Sequence, residues 1–171
     1  MKIKSDFVTN SSSSSFVVVW PFKVKTLEDI KKYIKKPNHA AIIFNDAIKQ
    51  NPAIVDLHNR GLLSQVASEI ESGHVYGSSL DYDNFRRDFA NENNITDNDL
   101  YKDPVWREQY WKAYDHANKS RSLDIAFDFL KDHGGNYVYI FTYGDEDGGI
   151  YAELEHENDW GGLPYLQISR H

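Results

Sequence analysis

A run of five apolar residues near the start of the chain constrains the fold more than any other part of the sequence. Residues 16–20 read Phe-Val-Val-Val-Trp, with no polar position between them. A strand that faces water on one side alternates polar and apolar residues, whereas a strand covered on both faces is apolar throughout. Pro21 ends the run, because proline lacks the N–H group that a central strand needs. The sequence therefore predicts a central β-strand at residues 16–20.

The segment after this strand favours a helix over residues 26–36. Thr26 has the short hydroxyl side chain of an N-cap residue, and acidic residues follow it in the first turn. Pro37 is expected to end this helix. Residues 40–50 are ambiguous between a helix and a strand, and we interpret them as a helix or an irregular segment.

Helical spacing continues through the rest of the middle of the chain. Residues 61–72 and 81–93 carry apolar residues at helical intervals. Asp103 and Pro104 are typical of a helix start, with an N-cap residue followed by proline in the first turn. A polar stretch then weakens the pattern, and Ser122 is expected to cap a separate helix that reaches residue 133. The sequence thus predicts a helical middle over residues 26–133.

The last part of the chain favours β-structure. Residues 137–143, 150–157 and 165–170 are expected to be strands, and glycine-containing turns separate them. We expect the first two to pair with Tyr143 opposite Ile150, which places Tyr139 and Phe141 on an apolar face. A slip by one residue would set glutamates opposite these rings, so the alternation of side chains favours the first register.

These elements together predict an α+β fold in one domain, residues 1–171. Its four-stranded, largely antiparallel sheet takes one strand from residues 16–20 and three meander strands from residues 137–170. Residues 137–143 are the expected neighbour of the first strand, and the helical middle is expected to pack over the aromatic face. The polar leader, residues 1–15, and the acidic turn near the end of the chain would then lie around the rim of one sheet.

Composition excludes several classes of function. The chain has no cysteine, so it has no disulfide scaffold, no cysteine-ligated metal and no cysteine nucleophile. Apolar runs stay far below the about 20 residues of a membrane helix, and no signal-peptide core follows the first residues, which predicts a cytoplasmic protein. The formal net charge of −7 argues against direct nucleic-acid binding, which usually needs a basic surface.

The first residues form an unusual polar leader. Residues 1–16 read Met-Lys-Ile-Lys-Ser-Asp-Phe-Val-Thr-Asn-Ser-Ser-Ser-Ser-Ser-Phe. This leader resembles the N-termini of many uncharacterised proteins of tailed bacteriophages and of bacteria that carry phage-like genes. The resemblance covers residues 1–18 only. It implies an origin in a phage or mobile element, and it assigns no activity and no catalytic residue.

The serine run in the leader admits two interpretations. Its hydroxyl and N–H groups could form an anion-binding or modification loop, made of Asn10, Ser11, Ser12, Ser13, Ser14 and Ser15. Known phosphate loops, however, are rich in glycine and lead into a helix, whereas this segment leads into a strand. We therefore interpret the serines as a polar leader that ends as a sheet edge or a turn or stays flexible.

Acidic residues are concentrated near the end of the chain. The pattern Asp-x-Asp-Gly at Asp145 resembles part of a calcium loop, but the glutamate that such a loop needs at its twelfth position is absent. Strand alternation would also separate His156 from the glutamates, so we predict no metal site and no cofactor. The interpretation kept is an acidic surface for a protein partner, made of Asp145, Glu146, Asp147, Glu153, Glu155, Glu157, Asp159 and Trp160.

Aromatic residues recur at four-residue steps along one predicted helix. Trp106, Tyr110 and Tyr114 lie on one line, with Trp111 beside them. Such a line could stack nucleic-acid bases, but aromatic stripes at helical spacing more often form core, and the acidic chain argues against bases. We therefore expect this line to be core.

No complete catalytic motif is present, so two functional hypotheses remain. The first is a non-enzymatic phage or mobile-element protein that acts in the host cytoplasm. It would modulate a host or phage protein through an acidic and aromatic surface, since Tyr and Trp are enriched at protein interfaces. The alternative is a nucleotide- or phosphoester-processing enzyme that uses the serine loop with dispersed His, Asp and Glu residues.

Overall fold

The computed structural model describes residues 13–144, 149–157 and 160–170. These residues form two compact units. The first unit contains the described residues up to Ile54 and those from Gly135 onward, and the second is Val55–Gly134. The interpretation of residues 1–171 as one domain stays a prediction.

The first unit is built on an antiparallel sheet that takes strands from both ends of the chain. Within the described residues it has four strands, β1 (Ser13–Trp20), β2 (Ala53–Ile54), β3 (Tyr137–Gly144) and β4 (Tyr165–Ser169). Their order is β2-β3-β1-β4. Together with the helices, this sheet confirms the predicted α+β class.

β1 is a central strand, as its apolar run predicts. It pairs with β3 on one side and β4 on the other, so that Phe16 lies opposite Phe141 and Gln167. All residues from Phe16 to Trp20 are at most 1% exposed. The side chains of a strand alternate between its faces, so only a strand covered on both faces can bury five consecutive apolar residues.

Seven helices lie within the described residues. They are α1 (Leu27–Lys31), α2 (Pro37–Ala47), α3 (Arg60–Glu71), α4 (Tyr82–Glu92), α5 (Asp97–Lys102), α6 (Pro104–Leu130) and α7 (Ile150–Glu157). The predicted caps at Thr26 and Asp103 each accept a hydrogen bond from a main-chain N–H group of the first turn. Asp81, where a helix was predicted to begin, does the same. These three helix starts are therefore confirmed.

The aromatic face of the sheet forms the core of the first unit. β1 and β3 contribute alternate side chains to it, and α1, α2 and α7 add Ile30, Ile43 and Leu154. The rings of Tyr139 and Phe141 stack with centroids 6.1 Å apart. The predicted apolar face of the strand at residues 137–143 is thus confirmed.

The strand predicted at residues 150–157 is wrong, because this segment is helix α7. Alternation of apolar and polar residues suggested a strand, but Ala, Leu and Glu are strong helix formers. In the helix, Tyr151 and Leu154 lie on one side and pack against the core at helical spacing. The predicted pairing of Tyr143 with Ile150 is wrong for the same reason.

The fourth strand comes instead from β2, which was not predicted. Its two residues pair with Val138 and Tyr137 of β3. The Gln50 side chain extends this edge, since its amide accepts a hydrogen bond of 3.0 Å from the Ile140 N–H and donates one of 2.8 Å to the Ile140 carbonyl. A side chain therefore satisfies main-chain groups that a longer strand would otherwise pair.

Two predicted helix boundaries are also corrected. The helix that Thr26 caps ends at Lys31, and Pro37 begins α2 rather than ending α1. Proline is tolerated in the first turn of a helix, because an N–H group there has no partner within the helix. Ser122 does not cap a separate helix, since α6 runs unbroken past it and buries its side chain.

The second unit consists of helices α3 to α6. α6 packs against α3 and carries a buried stripe that includes Ser122, Ile125 and Ala126. These small and branched side chains recur at intervals of three and four residues, so the stripe continues across the predicted break. A second cluster, centred on Tyr110, joins α4 and α5 to α6.

Candidate functional site

The described residues of the predicted acidic surface are not all exposed. Asp145, Glu146, Asp147 and Asp159 lie outside the described residues, and the Glu157 side chain does too. Of the rest, Glu153 is exposed, whereas Glu155 and Trp160 are buried. Trp160 packs on Phe16 and Phe141, with ring centroids 5.4 and 5.2 Å apart, so it belongs to the core.

Glu155 joins α7 to the sheet. Its Oε1 accepts a hydrogen bond of 3.3 Å from the Ser14 hydroxyl, and its main-chain carbonyl accepts one of 3.4 Å from the Gln167 amide. Nε2 of His156 lies 4.0 Å from Oε2 of Glu155. Both Glu155 and Ser14 are fully buried. Their described contacts therefore hold the helix on β1 and β4.

The described serines of the leader lie in a strand rather than in a loop. Ser13, Ser14 and Ser15 belong to β1, while Asn10, Ser11 and Ser12 lie outside the described residues. The Ser15 and Thr142 hydroxyls are hydrogen-bonded at 3.0 Å across the β1–β3 pair. The strand thus begins three residues before the apolar run that predicted it.

A buried histidine makes a second link to α7 that sequence reasoning missed. Nε2 of His39, on α2, lies 3.1 Å from Oε2 of Glu153, and only 3% of the His39 side chain is exposed. Lys36 Nζ lies 4.0 Å from the same oxygen. The partners are far apart in the chain, so no local pattern could indicate the pair. Among the described residues no group of three His, Cys, Asp or Glu side chains could hold a metal ion.

The second unit has a concave surface with a cavity of about 120 Å³, which we call the aromatic pocket. Three helices contribute to it, α4, α5 and α6. The residues that line it are Tyr82, Arg86, Leu100, Tyr101, Arg107, Tyr110 and Trp111.

Tyr110 forms the floor of the aromatic pocket. It is 3% exposed and contacts the rings of Tyr82, Phe89 and Trp111, with centroids 6.1, 5.5 and 5.2 Å away. Burial, followed by the neighbouring Tyr82 hydroxyl, raises the pKa of the Tyr110 phenol well above its usual range. The floor is therefore a neutral, apolar surface fixed by edge-to-face packing.

Exposed rings form the rim of the aromatic pocket. Tyr101 is 60% exposed, Trp111 46% and Tyr82 37%. The expectation that the line through Trp106, Tyr110 and Tyr114 is core is confirmed for Tyr110, which is buried, while Trp106 and Tyr114 are partly buried and pack against the same cluster. Sequence reasoning did not select Tyr82 or Tyr101, because four-residue spacing along one helix carries no information about rings on two others.

The two arginines of the aromatic pocket differ in their surroundings. Arg86 Nη1 donates a hydrogen bond of 2.7 Å to the Tyr101 hydroxyl, and Arg86 Nη2 lies 3.3 Å from an Asp97 oxygen. Its guanidinium also lies 6.0 Å from the centroid of the Tyr82 ring. Arg107 is exposed and makes no ion pair with any residue that the structure describes. The pocket therefore has one neutralised cation and one uncompensated cation.

Comparison with protein-family models, with curated proteins and with solved structures finds no match. Across the described ranges, no helix is long and apolar enough to cross a membrane. The geometry of the chain itself is therefore the basis for a functional proposal.

Proposed function

We propose that this chain is a non-enzymatic binding protein that modulates a host or phage protein, and that the aromatic pocket is its recognition surface. The phage-like leader supports the part of this proposal that places the protein in a phage or mobile element. The observation that carries the binding role is the rim of Tyr82, Tyr101 and Trp111, whose rings stay exposed above a buried floor. Large exposed rings in a concave site are a recurrent feature of protein-binding surfaces.

The residue types of the aromatic pocket support a protein partner. Tyr, Trp and Arg are enriched among the residues that dominate the binding energy of protein interfaces. Packing restrains Trp111, whose ring contacts Tyr110 and Tyr114, so little side-chain freedom would be lost on binding. Preorganised rings of this kind can contribute several kcal/mol to association at a small interface.

The charge of the second unit argues against a nucleic-acid partner. Val55–Gly134 carries 15 Asp and Glu against 9 Lys and Arg, a formal charge of −6 out of −7 for the whole chain. Such a surface repels a phosphate backbone, although its rings could stack on bases. The net negative charge of the chain thus belongs mainly to the unit that holds the aromatic pocket.

The enzymatic alternative gains no support from the described part of the serine segment. It requires a serine and a carboxylate that a substrate can reach. Ser14 and Glu155 are both 0% exposed and are bonded to each other inside the sheet. Ser15 is equally buried and is bonded to Thr142.

Affinity capture from infected cells tests the proposal. Tagged wild-type protein should retain a specific partner, and Trp111→Ala or Tyr101→Ala should lose most of it. Phe127→Ala is a matched control, because Phe127 lies on the same helix as Trp111 and is similarly exposed, at 44%, outside the aromatic pocket. The control should retain the partner.

A second variant separates the aromatic pocket from the acidic segment near the end of the chain. In this variant Asp145, Glu146 and Asp147 are replaced by Ser. If it loses the partner while Trp111→Ala retains it, the aromatic pocket is not the recognition surface. Recovery of no specific partner by the wild-type protein would contradict the binding role itself.

A further inference from the structure

We infer that the aromatic pocket selects a protein segment in which a large apolar side chain stands next to an Asp or Glu. The side chain would fill the pocket, and Arg107 would bind the carboxylate at its rim. This inference rests on the proposed function, because it names the chemistry of the partner for that same surface.

The size of the aromatic pocket limits what can enter it. Its volume is about 120 Å³, slightly below the about 150 Å³ of an apolar cavity that binds benzene. One aromatic or branched aliphatic side chain is therefore the largest group that fits. A nucleotide, with its base and sugar, is too large to be enclosed. The buried Tyr110 floor, together with Leu100, favours an apolar group at the bottom.

The charges at the rim indicate what should stand beside that group. Asp97 at 3.3 Å and Asp83 at 4.0 Å neutralise Arg86, so its charge is already compensated within the unit. Arg107 has no such partner among the described residues. It lies one helical turn before Trp111 on α6, so the two side chains share one face of the helix. A group that packs on Trp111 therefore brings its neighbour within reach of Arg107.

The net charge of −6 on the second unit does not oppose this arrangement at short range. At physiological ionic strength, charges more than about 8 Å apart on a surface are largely screened. The Asp83 and Asp97 carboxylates near the pocket are paired with Arg86, and carboxylates farther away act only weakly. The Arg107 guanidinium therefore favours a negative charge at the rim. A planar guanidinium also forms paired hydrogen bonds with a carboxylate, which a lysine cannot do.

Selection from a displayed library of random linear peptides tests this inference. We expect the wild-type protein to enrich peptides that combine an aromatic or large aliphatic residue with an adjacent Asp or Glu. An individual enriched peptide should bind Arg107→Gln about two- to fivefold more weakly, the range for one solvent-exposed ion pair, and the difference should shrink at high salt.

Arg87→Gln is the matched control. Arg87 is also an exposed arginine of the second unit, but it lies outside the aromatic pocket. Its replacement should leave peptide binding unchanged. Circular dichroism should show the same helix content in both variants, since neither side chain is buried.

The other outcomes separate this inference from the proposed function. Enriched peptides that need Trp111 but lack an acidic residue are one such outcome, and enriched peptides that bind Arg107→Gln as well as wild type are another. Either result would contradict the selection of an adjacent Asp or Glu and would leave the protein-binding role intact. A library that yields no Trp111-dependent peptide would overturn the inference. Affinity capture from infected cells would still test the binding role independently.

Discussion

Two buried tyrosines on β3 differ in one respect that a pair of substitutions can isolate. Tyr139 and Tyr143 are 1% and 2% exposed, and both lie in the core of the first unit. The Tyr139 hydroxyl accepts a hydrogen bond of 2.8 Å from the main-chain N–H of Val24. The Tyr143 hydroxyl makes no hydrogen bond to any residue that the structure describes.

The two substitutions by phenylalanine should therefore have different costs. Tyr139→Phe leaves the buried Val24 N–H without an acceptor, and an unsatisfied buried donor costs about 1–3 kcal/mol of unfolding free energy. Tyr143→Phe removes a polar group that gains no hydrogen bond within the described structure. Its unfolding free energy should stay within about 0.5 kcal/mol of wild type or rise. Both changes keep the aromatic ring and its stacking.

Urea denaturation at pH 7 measures the difference directly. Burial raises the pKa of both phenols, so both side chains are neutral at this pH and ionisation does not affect the comparison. The urea concentration at the midpoint of unfolding should fall for Tyr139→Phe. The slope of the unfolding free energy against urea concentration should stay constant. Equal losses in the two variants, or a larger loss at Tyr143, would refute the hydrogen-bond reasoning.

The same pair predicts a response to alkaline pH. In the unfolded chain a tyrosine ionises near pH 10, whereas buried Tyr143 keeps its proton because burial, followed by the charge of Asp46, raises its pKa. The folded state then binds more protons, so the unfolding free energy falls as pH rises above 10. Tyr143→Phe should reduce this fall.

Two further predictions concern the first unit. Hydrogen bonds, the largest from Lys32, lower the pKa of Asp29 to about 2, so the stability that its carboxylate contributes is present above pH 4 and is lost as pH falls towards 2. Asp29→Asn should cost about 1 kcal/mol at pH 7 and almost nothing near pH 2, as thermal unfolding at the two pH values would show. Gly161 has a φ of +59°, and a Cβ there would overlap the main-chain carbonyl of Tyr33, whereas Gly162, with a φ of +83°, has open space. Gly161→Ala should therefore cost about 3 kcal/mol or more and Gly162→Ala about 1 kcal/mol, and equal losses in urea denaturation would contradict the clash.

The parts of the fold that sequence predicts well are those that local chemistry decides. Burial on both faces requires the unbroken apolar run at residues 16–20, so a central strand was the one element that could contain it. The hydroxyl of Thr26 and the carboxylate of Asp103 satisfy N–H groups at a helix start whatever the rest of the fold does. These predictions needed no knowledge of distant contacts.

The parts that sequence missed are decided by tertiary packing. The alternation of apolar and polar residues at positions 150–157 fits a strand, but a helix over the same residues places Tyr151 and Leu154 on one side. The local pattern does not separate the two, and packing on the aromatic core selects the helix. β2 is two residues long and is completed by a glutamine side chain, so it leaves almost no pattern to find.

The aromatic pocket depends both on local spacing along α6 and on tertiary packing of three helices. The contrast between the two units indicates where function is best sought in the chain. In the first unit, residues that could have suggested chemistry, such as Ser14, Glu155 and His39, are buried and bonded to one another or to neighbouring elements. In the second unit, Tyr101 and Trp111 remain exposed although burial would stabilise them. Residues that hold a fold together need no further explanation, whereas large exposed rings beside an uncompensated arginine do. The proposed partner, which would cover those rings and meet that charge, would account for both observations.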